Sequence, residues 1–198
     1  MTTCSISELY RENGRFVFPF KSFINESFLQ YFVFMFLPID LIRKWEINKT
    51  NSKKYVILLP GYSETQFIFW RIRKILKLTG VNYLTIKYKP FLGDIYLQIE
   101  LLKTQISSIK TIDENAEIYL IGHSMGGLIG RYYVEYHDSN NIKLLVMIAT
   151  PHKGTFLGKF GVGKSAKQLV PKNPFLQQLK NNNLGSSEAN YLNGIISE

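Results

Sequence analysis

Residues 118–127 read Ile118-Tyr119-Leu120-Ile121-Gly122-His123-Ser124-Met125-Gly126-Gly127. An apolar run of strand type leads into a G-x-S-x-G element, and a helical pattern follows as far as His137. The spacing has a mechanical cause. A sharp strand-to-helix turn forces its serine into a strained backbone conformation, and side chains two residues to either side would strike neighbouring backbone. Glycine at 122 and 126 removes those clashes. Such a turn lifts the Ser124 hydroxyl to the top of a sheet and aims the free N–H groups of the next helix at charge forming beside it. G-x-S-x-G alone recurs by chance, and a glycine-rich turn with an inert serine satisfies it equally. The strand before and the helix after make it read as a nucleophile elbow.

The surrounding pattern supports that reading. From Lys53 onward strands and helices alternate. Residues 55–59 form a buried strand ending at Pro60-Gly61. Residues 65–78 are helical, with Phe67, Trp70, Ile75 and Leu78 at usable spacing, and 81–88 form a strand. Asp94 can cap a helix in which Ile95, Ile99, Leu102, Ile106 and Ile109 make one apolar stripe. Residues 117–121 are the strand before the elbow, 124–137 the helix after it, and 142–150 a fourth strand. Near-continuous apolar strands separated by helices predict a parallel α/β sheet with helices on both faces, in the spatial order second, first, third, fourth. After Pro151 the pattern weakens into a loop and short helices. The chain divides into an apolar and amphipathic N-terminal segment, 1–50, and the α/β core, 51–198.

Composition narrows the function. The chain of 198 residues is long enough for one domain with a core, and 45% hydrophobic with 14% aromatic residues argues against disorder. A single cysteine, Cys4, excludes an internal disulfide and a Cys-rich metal site. His123, His137 and His152 show no metal-ligand spacing, so neither metal nor cofactor is expected. The net charge of +9 would suit an anionic substrate, a membrane surface or nucleic acid. The basic residues are scattered, with no Lys/Arg block and no aromatic RNA-binding pattern, so a solvated basic surface is expected and a nucleic-acid partner is not. From Phe28 to Ile39 the chain reads Phe-Leu-Gln-Tyr-Phe-Val-Phe-Met-Phe-Leu-Pro-Ile. That is too short for a membrane span of ~20 residues, and no small-residue cleavage site follows, as a signal peptide requires. Flanked by Lys21, Arg43 and Lys44, it is either an interfacial membrane segment or a helix packed over the core. The expected location is the cytoplasm or the membrane periphery.

A serine at an elbow needs two donors for the oxyanion. The first is the N–H of Met125. The second comes from the loop after the first visible strand, Leu59-Pro60-Gly61-Tyr62-Ser63, where Gly61 permits a close approach and the Tyr62 N–H is the expected donor. Pro60-Gly61 is also an ordinary tight turn, and both readings can hold. Leu58-Leu59-Pro60-Gly61-Tyr62, then Gly122-His123-Ser124-Met125-Gly126-Gly127, then Ala149-Thr150-Pro151-His152-Lys153-Gly154-Thr155 stand in order. Together they resemble the bacterial triacylglycerol lipase and esterase branch of the α/β-hydrolases. Pro90-Phe91-Leu92-Gly93-Asp94 and Asn173-Pro174-Phe175-Leu176-Gln177-Gln178-Leu179 are similar to the same branch, so the likeness covers roughly residues 53 to 180. It implies an α/β-hydrolase fold and a serine hydrolase of carboxylic esters, with an ester or lipid substrate and Ser124 as nucleophile. Pro60 departs from the pattern, standing where many relatives carry a histidine.

The resemblance also implies an acid and then a histidine after the nucleophile. Beyond Thr155 the sequence holds no histidine and no aspartate. His137 and Asp138 close the helix that starts at Ser124, roughly 20 Å from it, and His123 should point away within the elbow. His152, just past the fourth strand, is the remaining candidate base, with Glu188 as an acid that could approach it. In the family pattern, however, that histidine belongs to a structural loop. The expectation is a hydrolase-type sheet lacking its C-terminal strands, weakly active alone. The alternative is an inactive hydrolase-fold remnant or binding protein. The fourth strand would then present an unpaired apolar edge, Leu144 to Ala149, prone to self-association. A competing motif, Gly158-Lys159-Phe160-Gly161-Val162-Gly163-Lys164-Ser165, matches the P-loop pattern of nucleotide binders. It lacks the strand that should immediately precede it.

Overall fold

Strand periodicity puts successive side chains on opposite faces, and along residues 56–59 both faces are buried. Ile57 and Leu59 enter a large core with Leu120, Leu145 and the apolar stripe Ile95, Ile99, Leu102, Ile106 and Ile109. Val56 and Leu58 enter a smaller one with Phe69 and Tyr83. The computed structural model describes residues 47–89, 92–181 and 191–192. Its strands are β1 (Ile47–Asn48), β2 (Lys54–Leu59), β3 (Asn82–Thr85), β4 (Glu117–His123), β5 (Ile142–Ile148) and β6 (Tyr191–Leu192). They form one sheet in the order β1-β3-β2-β4-β5-β6, in which β1 runs antiparallel to β3 and the other neighbours are parallel. The helices are α1 (Trp70–Leu78), α2 (Ile95–Ile112), α3 (Met125–Tyr136), α4 (Gly163–Gln168) and α5 (Pro174–Asn181). The order of the four principal strands is the expected one, and this is an α/β-hydrolase-type sheet with helices on both faces.

Several boundaries moved for local reasons. The helix expected over 65–78 is a 3-10 turn, Gln66–Phe69, followed by α1; the Thr65 hydroxyl caps the turn by accepting from Phe67 N–H. The strand expected over 81–88 pairs only at Asn82–Thr85. The fourth strand stops at Ile148, because Ala149 takes φ 47° and turns the chain out of the ladder. Helix α2 forms as its stripe predicts. Asp94 accepts from Tyr96 N–H at 3.0 Å and from Gln168 Nε2 at 2.8 Å, while Gln168 Oε1 accepts from Ile95 N–H at 2.8 Å. That reciprocal pair fastens the start of α2 to the end of α4.

One expectation is corrected. The far edge of β5 is not unpaired along its length: Tyr191 pairs with Leu145 and Leu192 with Val146. A short parallel strand occupies the middle of the edge, and the backbone groups there that would template association are engaged. The segment from Phe28 to Ile39, most of the proposed 1–50 unit, Pro90-Phe91 and Glu188 lie outside the described residues.

What positions the site is the level end of three strands. Leu59 pairs with Gly122 and His123 with Ile148, so β2, β4 and β5 finish side by side. Helix α3 then starts hard against the end of β2. A Cβ on Gly126 would collide with the Leu59 and Pro60 carbonyl oxygens, and one on Gly122 would lie 2.5 Å from Gly127 N. Backbone cannot move aside as a flexible side chain can. Gly126→Ala is therefore expected to destabilise the fold by roughly 1–3 kcal/mol or more. Gly80→Ala, at φ 67° with open space around it, should cost only about 1 kcal/mol, the left-handed backbone penalty alone. Urea denaturation of both variants checks the ranking.

Candidate active site

Ser124 follows the last residue of β4 and precedes the first of α3, with φ 49° and ψ −117°. A left-handed φ at a non-glycine residue is strained, and here its own N–H, donating to Ile148 O at 2.9 Å, helps hold it. Serine is a favoured N-cap because its hydroxyl bonds the first turn. The Ser124 side chain makes no such bond to α3. Ser124 instead lines a cavity of about 410 Å³, shared with Tyr62, Ser63 and Glu64 from the loop after β2 and with Ala149 and Pro151 after β5. Leu157, Ala166 and Leu169 supply much of the remaining, apolar wall. Ser63 and Ala149 also have positive φ, 60° and 47°, so three strained residues meet at one cavity.

The loop after β2 is held peptide by peptide. The buried Tyr88 hydroxyl donates to Pro60 O at 2.9 Å. Burial first, and the Glu64 charge second, push the Tyr88 phenol well above its ordinary range, so it stays a donor. The N–H of Gly61 donates to the Glu64 carboxylate at 2.6 Å, and Glu64 N–H returns to Gly61 O at 3.3 Å. A trans peptide points its N–H opposite its carbonyl. With Gly61 O turned into that small turn, the Tyr62 N–H points out of it, and among the described residues it meets no acceptor. The Tyr62 hydroxyl is tied 100 residues away, donating to Val162 O at 2.8 Å and accepting from Val162 N–H at 2.7 Å. Met125, the other expected donor, opens α3 and is buried.

The structure brings Ser124 and Tyr62 to one cavity and places His152 elsewhere. His152 is absent from the residues lining the cavity; its Nδ1 lies 3.3 Å from Arg131 Nη1 on α3. A guanidinium only donates, so that imidazole nitrogen accepts. Partial burial, then the Arg131 charge, hold the His152 pKa below its ordinary value. Arg131 also donates to Glu135 at 2.6 Å and to Leu179 O at 2.8 Å. His152 thus belongs to a brace between α3 and α5. At the far end of α3, Asp138 pairs with Lys110 at 2.7 Å, which lowers its pKa. The segment 158–165 has no strand leading into it: β5 ends at Ile148, and a 3-10 turn, Phe156–Lys159, intervenes before α4. The P-loop alternative therefore lacks its strand–loop–helix setting. Among the described residues no group of His, Cys, Asp and Glu could hold a metal ion, and no helix is long and apolar enough to cross a membrane.

Comparison with known proteins agrees with the sheet. A family model described as palmitoyl protein thioesterase matches residues 71–193. The chain belongs to that family. It is thereby placed among the lipase- and esterase-like α/β-hydrolases. Triacylglycerol lipase 2 of Saccharomyces cerevisiae is 27% identical over 153 residues, 74% of this chain and 43% of that protein. The GPI inositol-deacylase of Candida albicans is 30% identical over 115 residues, 50% of this chain and 29% of that protein. The chain thus spans less than half the length of these two curated relatives. Among solved structures, Aspergillus fumigatus lipase B superposes with a TM-score of 0.58 at 21% identity, over 66% of this chain and 34% of that one. A Bacillus licheniformis lipase in its mature form gives 0.58 at 13%, over 70% and 64%. These two likenesses are of fold.

Sequence reasoning missed Glu64. Its carboxylate lies 2.8 Å from His123 Nδ1 as well as against Gly61 N–H. Nothing in Ser63-Glu64-Thr65-Gln66 marks it, because its partner His123 is 59 residues distant. The Arg131 brace makes a separate claim that can be measured. Followed by NMR, His152 should titrate below the ordinary histidine value of about 6.5, and Arg131→Gln should move the midpoint upward. An unchanged midpoint in Arg131→Gln would mean that burial alone sets it.

Proposed function

We propose that this chain hydrolyses carboxylic esters or thioesters of apolar acyl groups, with Ser124 as nucleophile and the N–H groups of Tyr62 and Met125 as the oxyanion donors. The observation carrying the reading is Ser124 itself. It is strained, its hydroxyl is unused as a helix cap, and it opens onto an apolar-walled cavity that it shares with Tyr62. The acyl chain lies along Leu157, Ala166 and Leu169, and the exposed Phe156 and Phe160 flank this side of the fold. Ser124 Oγ attacks the carbonyl carbon. The oxygen that gains charge is met by fixed backbone donors and by the positive end of α3, neither of which must reorganise as the charge forms. The alcohol or thiol departs with a proton, and water then cleaves the acyl-serine. A lipid or other ester substrate fits both this wall and the names of the relatives.

An imidazole that takes the serine proton must become a cation. Beside Arg131 that is disfavoured, so His152 is not assigned as the base. Among the described residues lining the cavity there is no histidine. Loss of triad members costs on the order of 10⁴ to 10⁶ in kcat, so this chain alone should turn over p-nitrophenyl esters slowly. The residual turnover should vanish in Ser124→Ala. An activated alkyl phosphonate should give an adduct located at Ser124 by peptide mass spectrometry. An adduct on another residue, or turnover that survives Ser124→Ala, would reject the assignment.

A further inference from the structure

We propose that Glu64 is a positioning residue: its carboxylate clamps the oxyanion loop to the elbow and so sets where the Tyr62 N–H stands relative to Ser124. This rests on the serine-hydrolase reading above and assigns a role to a residue which that reading leaves unused.

Glu64 is 8% exposed. A carboxylate removed from water must be paired and hydrogen-bonded, and the partners found here are informative. One is the N–H of Gly61, at 2.6 Å; the other is Nδ1 of His123, at 2.8 Å. A carboxylate only accepts, so the proton on that ring nitrogen is donated by His123. Gly61 immediately precedes Tyr62, and His123 immediately precedes Ser124. One side chain therefore joins the two segments that carry the proposed oxyanion donors.

The hold is directional. The Pro60–Gly61 peptide is gripped at its carbonyl by the Tyr88 hydroxyl and at its N–H by Glu64. With that plane fixed, the next peptide has little freedom, and its carbonyl is taken by Glu64 N–H. Its N–H, that of Tyr62, is left facing away from the turn. Pro60 brings no hydrogen-bonding side chain of its own, so the grip comes from Tyr88 and Glu64. The clamp also explains the glycine. A Cβ at position 61 would lie 2.6 Å from Glu64 Oε2 and 2.8 Å from its carboxyl carbon, displacing the group that holds the loop. Without the carboxylate, the Gly61 N–H loses its acceptor and the peptide can rotate. A donor displaced by a fraction of an ångström loses much of its worth to a transition state.

The test uses the full chain and the variants Glu64→Ala and Glu64→Gln, with thermal unfolding as the check on folding. The first readout is the Gly61 amide by NMR. A short bond to a carboxylate should give a downfield, slowly exchanging proton in the wild type. It should move upfield and exchange fast in Glu64→Ala. It should be partly restored in Glu64→Gln, whose side-chain oxygen can still accept. The second readout is turnover of a p-nitrophenyl ester, where Glu64→Ala should lower kcat about 10- to 100-fold with KM held within about twofold. A Gly61 amide unchanged in Glu64→Ala overturns the clamp. So does a wild-type kcat in Glu64→Ala when Ser124→Ala abolishes turnover. If Ser124→Ala instead keeps turnover, the serine-hydrolase reading fails, and the amide readout, which needs no turnover, judges the clamp alone. Should Glu64→Ala not fold, Glu64→Gln decides by the same two measurements: an intermediate amide shift and a smaller loss of kcat support the clamp, and wild-type values for both overturn it.

Discussion

The contact on which this structure depends is between the first turn of α3 and the carbonyl oxygens of Leu59 and Pro60. There is no room between them for a single carbon, so residue 126 has to be glycine. Because the contact is backbone to backbone, it fixes more than a packing distance. It sets the start of α3 over the end of β2, and with it the direction in which the chain must leave β2. The loop that leaves there carries Tyr62, Ser63 and Glu64 past Ser124, and the cavity is the space this crossing encloses. Parallel ladders on both sides of β4 hold the crossing in register, Leu59 against Gly122 and His123 against Ile148.

Strain and support are distributed accordingly. Ser63, Ser124 and Ala149 each take a left-handed φ at the cavity wall, a conformation costing on the order of 1–3 kcal/mol per residue. None would persist in an isolated loop. Each follows or borders a strand end, and the strands are anchored by a core in which Ile57, Leu59, Ile118 and Leu120 are fully buried. The far wall is secured in turn by the Asp94–Gln168 pair and by the Tyr62 hydroxyl on Val162. Polar side chains here act mainly on backbone groups, orienting the peptides that border the cavity.

Much of this was legible before any coordinates. Gly122 and Gly126 announce the elbow because the steric demand is local and severe. The α2 stripe, Ile95 to Ile109, announces a buried helix because its spacing repeats along one face, and all five stripe residues are buried. Other features were not legible. The 3-10 turn before α1 depends on a Thr65 cap that a helical pattern over 65–78 conceals. The strand at Tyr191–Leu192 is too short to produce a periodic signal, and without it the edge of β5 reads as open.

The division follows the range of the forces. Alternating strands and helices and the strained serine come from rules acting over a few residues: side-chain period, capping, and the room a glycine leaves. The sequence by itself determined those. Which groups meet around Ser124 was decided only by the tertiary structure. Glu64 meets His123 across 59 residues, and Tyr62 meets Val162 across 100. His152, a candidate base by position, is held by Arg131 instead. Such pairings are chosen by burial, since a polar group removed from water must find a partner within reach. What lies within reach is a property of the folded chain.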